Sequence, residues 1–205
     1  MIYDGADKAI KSMNRANLKA FGRLKMAKWD EVNLIREVTK VYDDSVKLAK
    51  AKYYEVASEA YVVALYTAHI DHKKAARMAE DTITPDWILF LLEEADPVLL
   101  YEFMAEADRK KHRLIETLSV AQDKSREIDK ALRYWTVQTS QMTDNMVYAA
   151  RLQAFRDAGV EQVRWITQKD NRVCHDCDEL DEMVFPIDEV PPPQHYGCRC
   201  ELRPA

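Results

Sequence analysis

Glycine is scarce in this sequence: there are four in 205 residues, where average usage of ~7% would give about fourteen. No G-x-G-x-x-G and no G-x-x-x-x-G-K-[ST] occurs, so a standard dinucleotide or phosphate cradle is missing. A turn-rich β sandwich or barrel is disfavoured for the same reason. Long apolar runs are also missing. The most apolar stretches, Trp87 to Leu92 and Tyr61 to Ala68, fall far short of the ~20 residues that span a bilayer. Met1-Ile2-Tyr3-Asp4-Gly5 lacks an apolar signal core. These absences predict no membrane partner, no small-molecule substrate, and folding in a cytoplasm.

What is abundant points to helix. Apolar residues make up 47% of the chain and charged ones 32%, with a net charge of -5, which fits a folded chain and not a disordered one. No Pro or Gly interrupts residues 23–84, and Val32, Ile35, Val38, Val41, Tyr42, Ser45, Val46, Ala49, Tyr53, Val56, Ala60, Val63 and Tyr66 keep a three-and-four spacing. The simplest expectation is one long helix with at most one break, packed in a bundle or coiled coil. Thr84-Pro85-Asp86 reads as N-cap, N1 proline and first-turn acid of a short helix to Ala95. Asp96-Pro97 repeats the signal for a helix reaching Val120, and residues 123–157 form another amphipathic run that Gly159 stops.

After Gly159 the character changes. Val163–Thr167, Met183–Ile187 and Cys198–Leu202 read as short strands, and Pro191-Pro192-Pro193 fixes an extended entry to His195. The expected architecture is therefore mainly α. A long-helix bundle over 1–159 is followed by a small β-containing module over 160–205, a size that usually needs a staple such as a metal.

Charge is uneven. Residues 1–28 hold seven basic and two acidic side chains, whereas 161–205 hold five basic and ten acidic. The basic N-terminal segment is either a surface for DNA or an acidic partner, or a solvated helix face. It carries no aromatic stacking pattern, which favours the solvated face.

All four cysteines lie between 174 and 200, as Cys174-x2-Cys177-x17-His195-x2-Cys198-x-Cys200. The spacing favours metal ligation over disulfides or free thiols. Zinc (Zn2+) takes four sulfur or imidazole ligands in a tetrahedron. Cys174 and Cys177 form the firm pair, while His195, Cys198 and Cys200 compete for the remaining places. Five candidates for four positions argue for a closed, structural site rather than an open, catalytic one. His175 reads as a solvent-facing knuckle side chain. Asp176, Asp178, Glu179, Asp181 and Glu182 read as loop charges rather than a general base. His69 and His72 read as a surface pair, and His112 as part of a charged helix face. No Ser-His-Asp or Cys-His arrangement can be read from the spacing.

Trp165-Ile166-Thr167, Asp170-x3-Cys174-x2-Cys177, Leu180-Asp181, Val184-Phe185 and Pro193-x-His195-x2-Cys198-Arg199-Cys200 resemble the C-terminal domain of the phage Mu F-like head morphogenesis family. The resemblance covers about residues 135–203. One departure is Glu182, where the family usually has glycine after the acidic residue. The resemblance implies a non-enzymatic minor head protein of a tailed bacteriophage, a virion component assembled in the host cytoplasm. It implies association with portal, capsid or scaffold proteins and a role touching DNA packaging or ejection. Some members carry a fused toxin or transferase domain, for which no room is expected after the Cys/His cluster. A metal-dependent nuclease or hydrolase and a cellular zinc-binding adaptor are the alternatives. Among the large groups of the helical part, Trp29, Trp87, Phe90, Tyr101, Phe103 and Tyr134 are candidates for either core or interface anchors.

Overall fold

A computed structural model of the chain describes residues 5–27, 30–93, 103–194 and 198–205. Among these residues the order is α1 (Gly5–Lys25), α2 (Glu31–Thr67), α3 (His72–Thr82), α4 (Pro85–Glu93), α5 (Phe103–Val120), α6 (Lys124–Asp157), β1 (Gln162–Ile166), α7 (His175–Leu180), β2 (Val184–Pro186) and β3 (Glu201–Pro204). The fold is mainly α, with a small antiparallel sheet near the C-terminus.

The expected long helix is broken twice. Asp30 caps α2 by accepting from the Asn33 N–H at 2.9 Å, so α1 and α2 are separate. The second break follows Thr67, where Ile70 N–H bonds to Leu65 O and His69 N–H to Tyr66 O, both at 3.0 Å. That is the Schellman pattern, and it places His69 in the left-handed region at φ 63°. Asp71 then caps α3 by accepting from the N–H groups of Lys73 and Lys74. The helix breaker here is a histidine, not a glycine or proline, so composition does not mark the break. Gly159 does the same work at the end of α6, at φ 73°, with Val160 N–H on Phe155 O at 2.9 Å. Thr84 Oγ1 accepts from the Trp87 N–H and opens α4, as its signal predicts. Asp123 caps α6. The Asp96-Pro97 signal lies outside the described residues.

The two longest helices, α2 and α6, pack along one another, and α1 packs against both. α5 covers α2 and α6, while α3 and α4 pack against α2. The centre of this bundle is aromatic. Phe21, Tyr42, Trp135, Phe103 and Tyr53 form a continuous chain of ring contacts with centroids 5.2–5.8 Å apart. A polar thread runs through it: Trp135 Nε1–H donates to Ser45 Oγ, and Ser45 Oγ–H donates to Asn17 Oδ1, both at 2.6 Å. It ties α6 to α2 to α1.

The sheet order is β2-β1-β3, with both neighbours antiparallel to β1. Val163 and Trp165 point to the buried side of β1, and Leu202 is Trp165's partner on β3. All three join the hydrophobic cluster of the helices, so the sheet is seated on the bundle. The observed β3 starts at Glu201. Cys198 and Cys200, expected within a strand, precede it.

Candidate metal centre

The first cysteine pair is positioned by a helix start. The Cys174 backbone is extended, and its Sγ accepts from the Cys177 N–H at 3.4 Å, while Asp178 N–H bonds to Cys174 O at 3.0 Å. Cys174 is thus the N-cap of α7 and Cys177 lies in its first turn, with its side chain buried. The sequence suggested a tight knuckle; the structure builds it as a cap followed by a short helix. His175, on the first residue of α7, is exposed and faces Glu179 at 3.4 Å, as its solvent-facing reading requires.

The return segment brings the second pair to the first. The Sγ atoms of Cys177, Cys198 and Cys200 all lie within 4.8 Å of one another, and Cys177 Sγ is 3.7 Å from Cys198 Sγ. Sulfurs bound to one zinc at ~2.3 Å in a tetrahedron stand about 3.8 Å apart, so this spacing suits a shared ion. Cys174 stands outside the triad but lines a cavity of about 20 Å³ together with Cys177 and Cys200. Both thiols of the first segment and one of the second converge there, and sulfur is the donor type that favours zinc. The residues present therefore fit the group. His195 lies outside the described residues.

Electrostatics set the thiols apart. The hydrogen bond from Cys200 holds the Cys198 thiol down to about 5, against the effect of burial. Burial pushes Cys177 up to about 12. Cys200 is also raised, first because it donates to Cys198. Cys198 is thus the sulfur that accepts from its neighbours, and a bound cation would take over that role and let the donors ionise.

Side chains beyond the cysteines hold the module. Asp181 accepts from both the N–H and the hydroxyl of Thr167, at 2.8 and 3.0 Å. Arg199 makes a two-pronged contact with Asp170, at 2.8 and 2.7 Å. Both residues were legible as part of the Cys/His pattern, but spacing gave no hint that they meet. Asp144 on α6 faces the centre from the bundle side: burial, then the Cys198 charge and Asp7, raise its carboxyl to about 7. Tyr148, one turn on, donates to Pro191 O at 2.6 Å.

Glu182 occupies a left-handed turn position at φ 63°, which is the conformation a glycine there would adopt without strain. Its N–H bonds to Trp165 O at 2.8 Å, and its carboxylate pairs with Lys169 at 2.8 Å and Arg164 at 3.3 Å. The turn survives the departure from glycine.

The other candidates fall elsewhere. His72 rests against the Tyr66 ring, and His112 faces Asp108 at 3.6 Å on the surface of α5. Lys8, Lys11, Arg15, Lys19 and Arg23 lie along the exposed side of α1. The opposite side buries Ala9, Met13, Asn17, Ala20, Phe21 and Leu24.

The segment holding these cysteines can be compared with known proteins. Residues 110–203 match the family model described as Phage Mu protein F like protein. The matched part, a little under half of the chain, is similar to that family. It begins within α5, takes in all of α6, and ends in β3, reaching further toward the N-terminus than the motifs alone suggest. No curated protein and no solved structure matches the chain. The family is the head morphogenesis family that the Cys/His ending resembles, and it points to a phage head protein. No helix among the described residues is long and apolar enough to cross a membrane.

Proposed function

We propose that the chain is a minor head protein of a tailed bacteriophage, acting without catalysis, that joins the virion in the host cytoplasm. It would associate with the portal or the inner capsid. The observation that carries this reading is the Phage Mu F-like match over residues 110–203, which contains the whole cysteine cluster. In this reading residues 160–205 are stapled by one zinc ion, and residues 1–159 provide the docking surfaces. The ligands are drawn from Cys174, Cys177, His195, Cys198 and Cys200, and the sulfur spacing supports the cysteines. When bound, zinc supplies cross-linking between the two chain segments that carry the cysteines.

The helical surface supports docking at particular places. Phe90 is half exposed and Val32 three-quarters exposed, whereas Phe103 is wholly buried in the aromatic centre and Trp87 and Tyr134 are half-buried. Trp29 and Tyr101 lie outside the described residues. The basic side of α1 suits an acidic surface or DNA during packaging or ejection.

Two measurements test the proposal. Protein purified under reducing conditions should contain one zinc per chain, and Cys174→Ser/Cys177→Ser should lose it, together with hydrogen-exchange protection in 160–205, while most helical signal stays. A metal-free wild-type chain defeats the staple. The full chain should co-purify with the phage portal or major capsid protein, and Phe90→Asp should weaken that capture at unchanged thermal stability; failure to bind either protein defeats the head role.

A further inference from the structure

We propose that the fork between Asp170 and Arg199 is a latch that joins the two halves of the metal centre and sets how fast the metal leaves. The inference rests on the zinc reading above. The centre is assembled from two segments, 174–177 and 198–200, whose Cys177 and Cys198 sulfurs stand 3.7 Å apart. The sheet helps on one side only, since the β1–β3 register begins at Ile166 and Glu201, just beyond Cys200. Closer to the sulfurs, the two segments are joined through residues 168–170. Gln168 Nε2–H donates to Arg199 O at 2.9 Å, and both guanidinium prongs of Arg199 reach Asp170.

Asp170 acts on the other half as well. Its Oδ1 accepts from the Arg172 N–H at 3.0 Å, and its carbonyl accepts from the Val173 N–H at 3.2 Å. These bonds shape the turn that delivers Cys174 to its capping position. One carboxylate therefore sets the turn before the first cysteine pair and grips the residue between the second. Arg199 also lines the small cavity with Cys174, Cys177 and Cys200, so its positive charge stands beside the sulfur cluster. Three or more thiolates around a dication leave excess negative charge, which a neighbouring guanidinium offsets.

Bulk stability is a weaker account of this pair. Its side chains are 38% and 37% exposed, and exposed ion pairs contribute little to folding. Its leverage is local: a bound ion escapes only when the two segments part, and parting them breaks both prongs. Asp170 and Arg199 are thus positioning residues, and the quantity they set is the metal's release rate. Partners of this kind typically change metal affinity 10- to 100-fold when removed; exposure places this one near the low end, about tenfold.

The test uses the full chain loaded with Co2+, whose thiolate charge-transfer bands report the ligand set, and follows transfer of the metal to excess chelator. Metal content of the unsubstituted chain is measured first; a chain that takes up no metal overturns the zinc reading, and the latch with it. With metal bound, Asp170→Asn should keep the band positions and release cobalt about tenfold faster. Arg199→Lys, which keeps the charge without the fork, should fall between. Asp181→Asn takes the charge out of the Thr167 and Lys169 contacts elsewhere in the module and should stay within twofold of the unsubstituted chain. Release from Asp170→Asn within twofold of the unsubstituted chain overturns the latch alone. So does equal acceleration by Asp181→Asn, which would mark general loosening, and so does loss of the thiolate bands in Asp170→Asn at saturating metal.

Discussion

At the scale of single residues, the side chains of His69, Lys169 and Glu182 sit on backbone conformations that glycine adopts more easily. His69 and Glu182 both sit at φ 63°, where a side chain costs roughly 1–2 kcal/mol relative to the right-handed regions. They differ in what they receive in return. His69 is exposed at a helix end, so His69→Gly should stabilise the chain by about 0.5–1 kcal/mol in urea denaturation. Glu182 carries two exposed ion pairs, each contributing about 0–1 kcal/mol, and Glu182→Gly should come out near zero. A destabilised His69→Gly would mean that the Schellman end is supported by contacts of the imidazole.

At the scale of elements, the bundle is made specific by the thread from Trp135 through Ser45 to Asn17. Ser45 is buried and serves as both acceptor and donor. Ser45→Ala removes one oxygen but strands two partners, the indole N–H and the Asn17 amide oxygen. Each unsatisfied buried group costs about 1–3 kcal/mol, so the loss should be at least ~2 kcal/mol by chemical denaturation. A change under 0.5 kcal/mol would show that water replaces the hydroxyl. The periodicity of α2 marks Ser45 as inward-facing, yet nothing in the sequence says that its partners come from α1 and α6. Those contacts are 28 and 90 residues away.

At the scale of the whole molecule, α1, α6 and the cysteine segments meet around Asp144. Its carboxyl is raised to about 7 from an ordinary value of 3.8, first by burial and then by Cys198 and Asp7. The folded state therefore keeps this proton where the unfolded chain releases it. The stability it contributes is complete below pH ~4 and is lost as pH rises through about 7. A shift of about three units corresponds to at most ~4 kcal/mol, and less because the side chain is only half-buried. Asp144→Asn should accordingly stabilise the chain more at pH 8 than at pH 5.5, measured against the unsubstituted chain at each pH. An equal effect at both pH values would place this carboxylate in contact with water.

Composition and spacing by themselves determined the fold class and the place where it changes. Scarce glycine and unbroken three-and-four periodicity dictate helices. Thr84-Pro85 and Gly159 act through their own backbone chemistry, and the clustered Cys residues mark the metal-type pattern. These signals are local, so they are written in short stretches of chain. What only the tertiary structure decided is non-local. The long helical run divides at His69 because a Schellman end with an aspartate-capped helix behind it outcompetes continuation. Cys177 rather than Cys174 joins Cys198 and Cys200 in the tight sulfur triad, because Cys174 turns its sulfur to cap α7. Asp170 meets Arg199 across 29 residues of sequence because β1 and β3 pair side by side. Trp165 joins the helical core because that pairing seats the sheet on the bundle. Burial and close approach between distant segments arise only once the whole chain has packed.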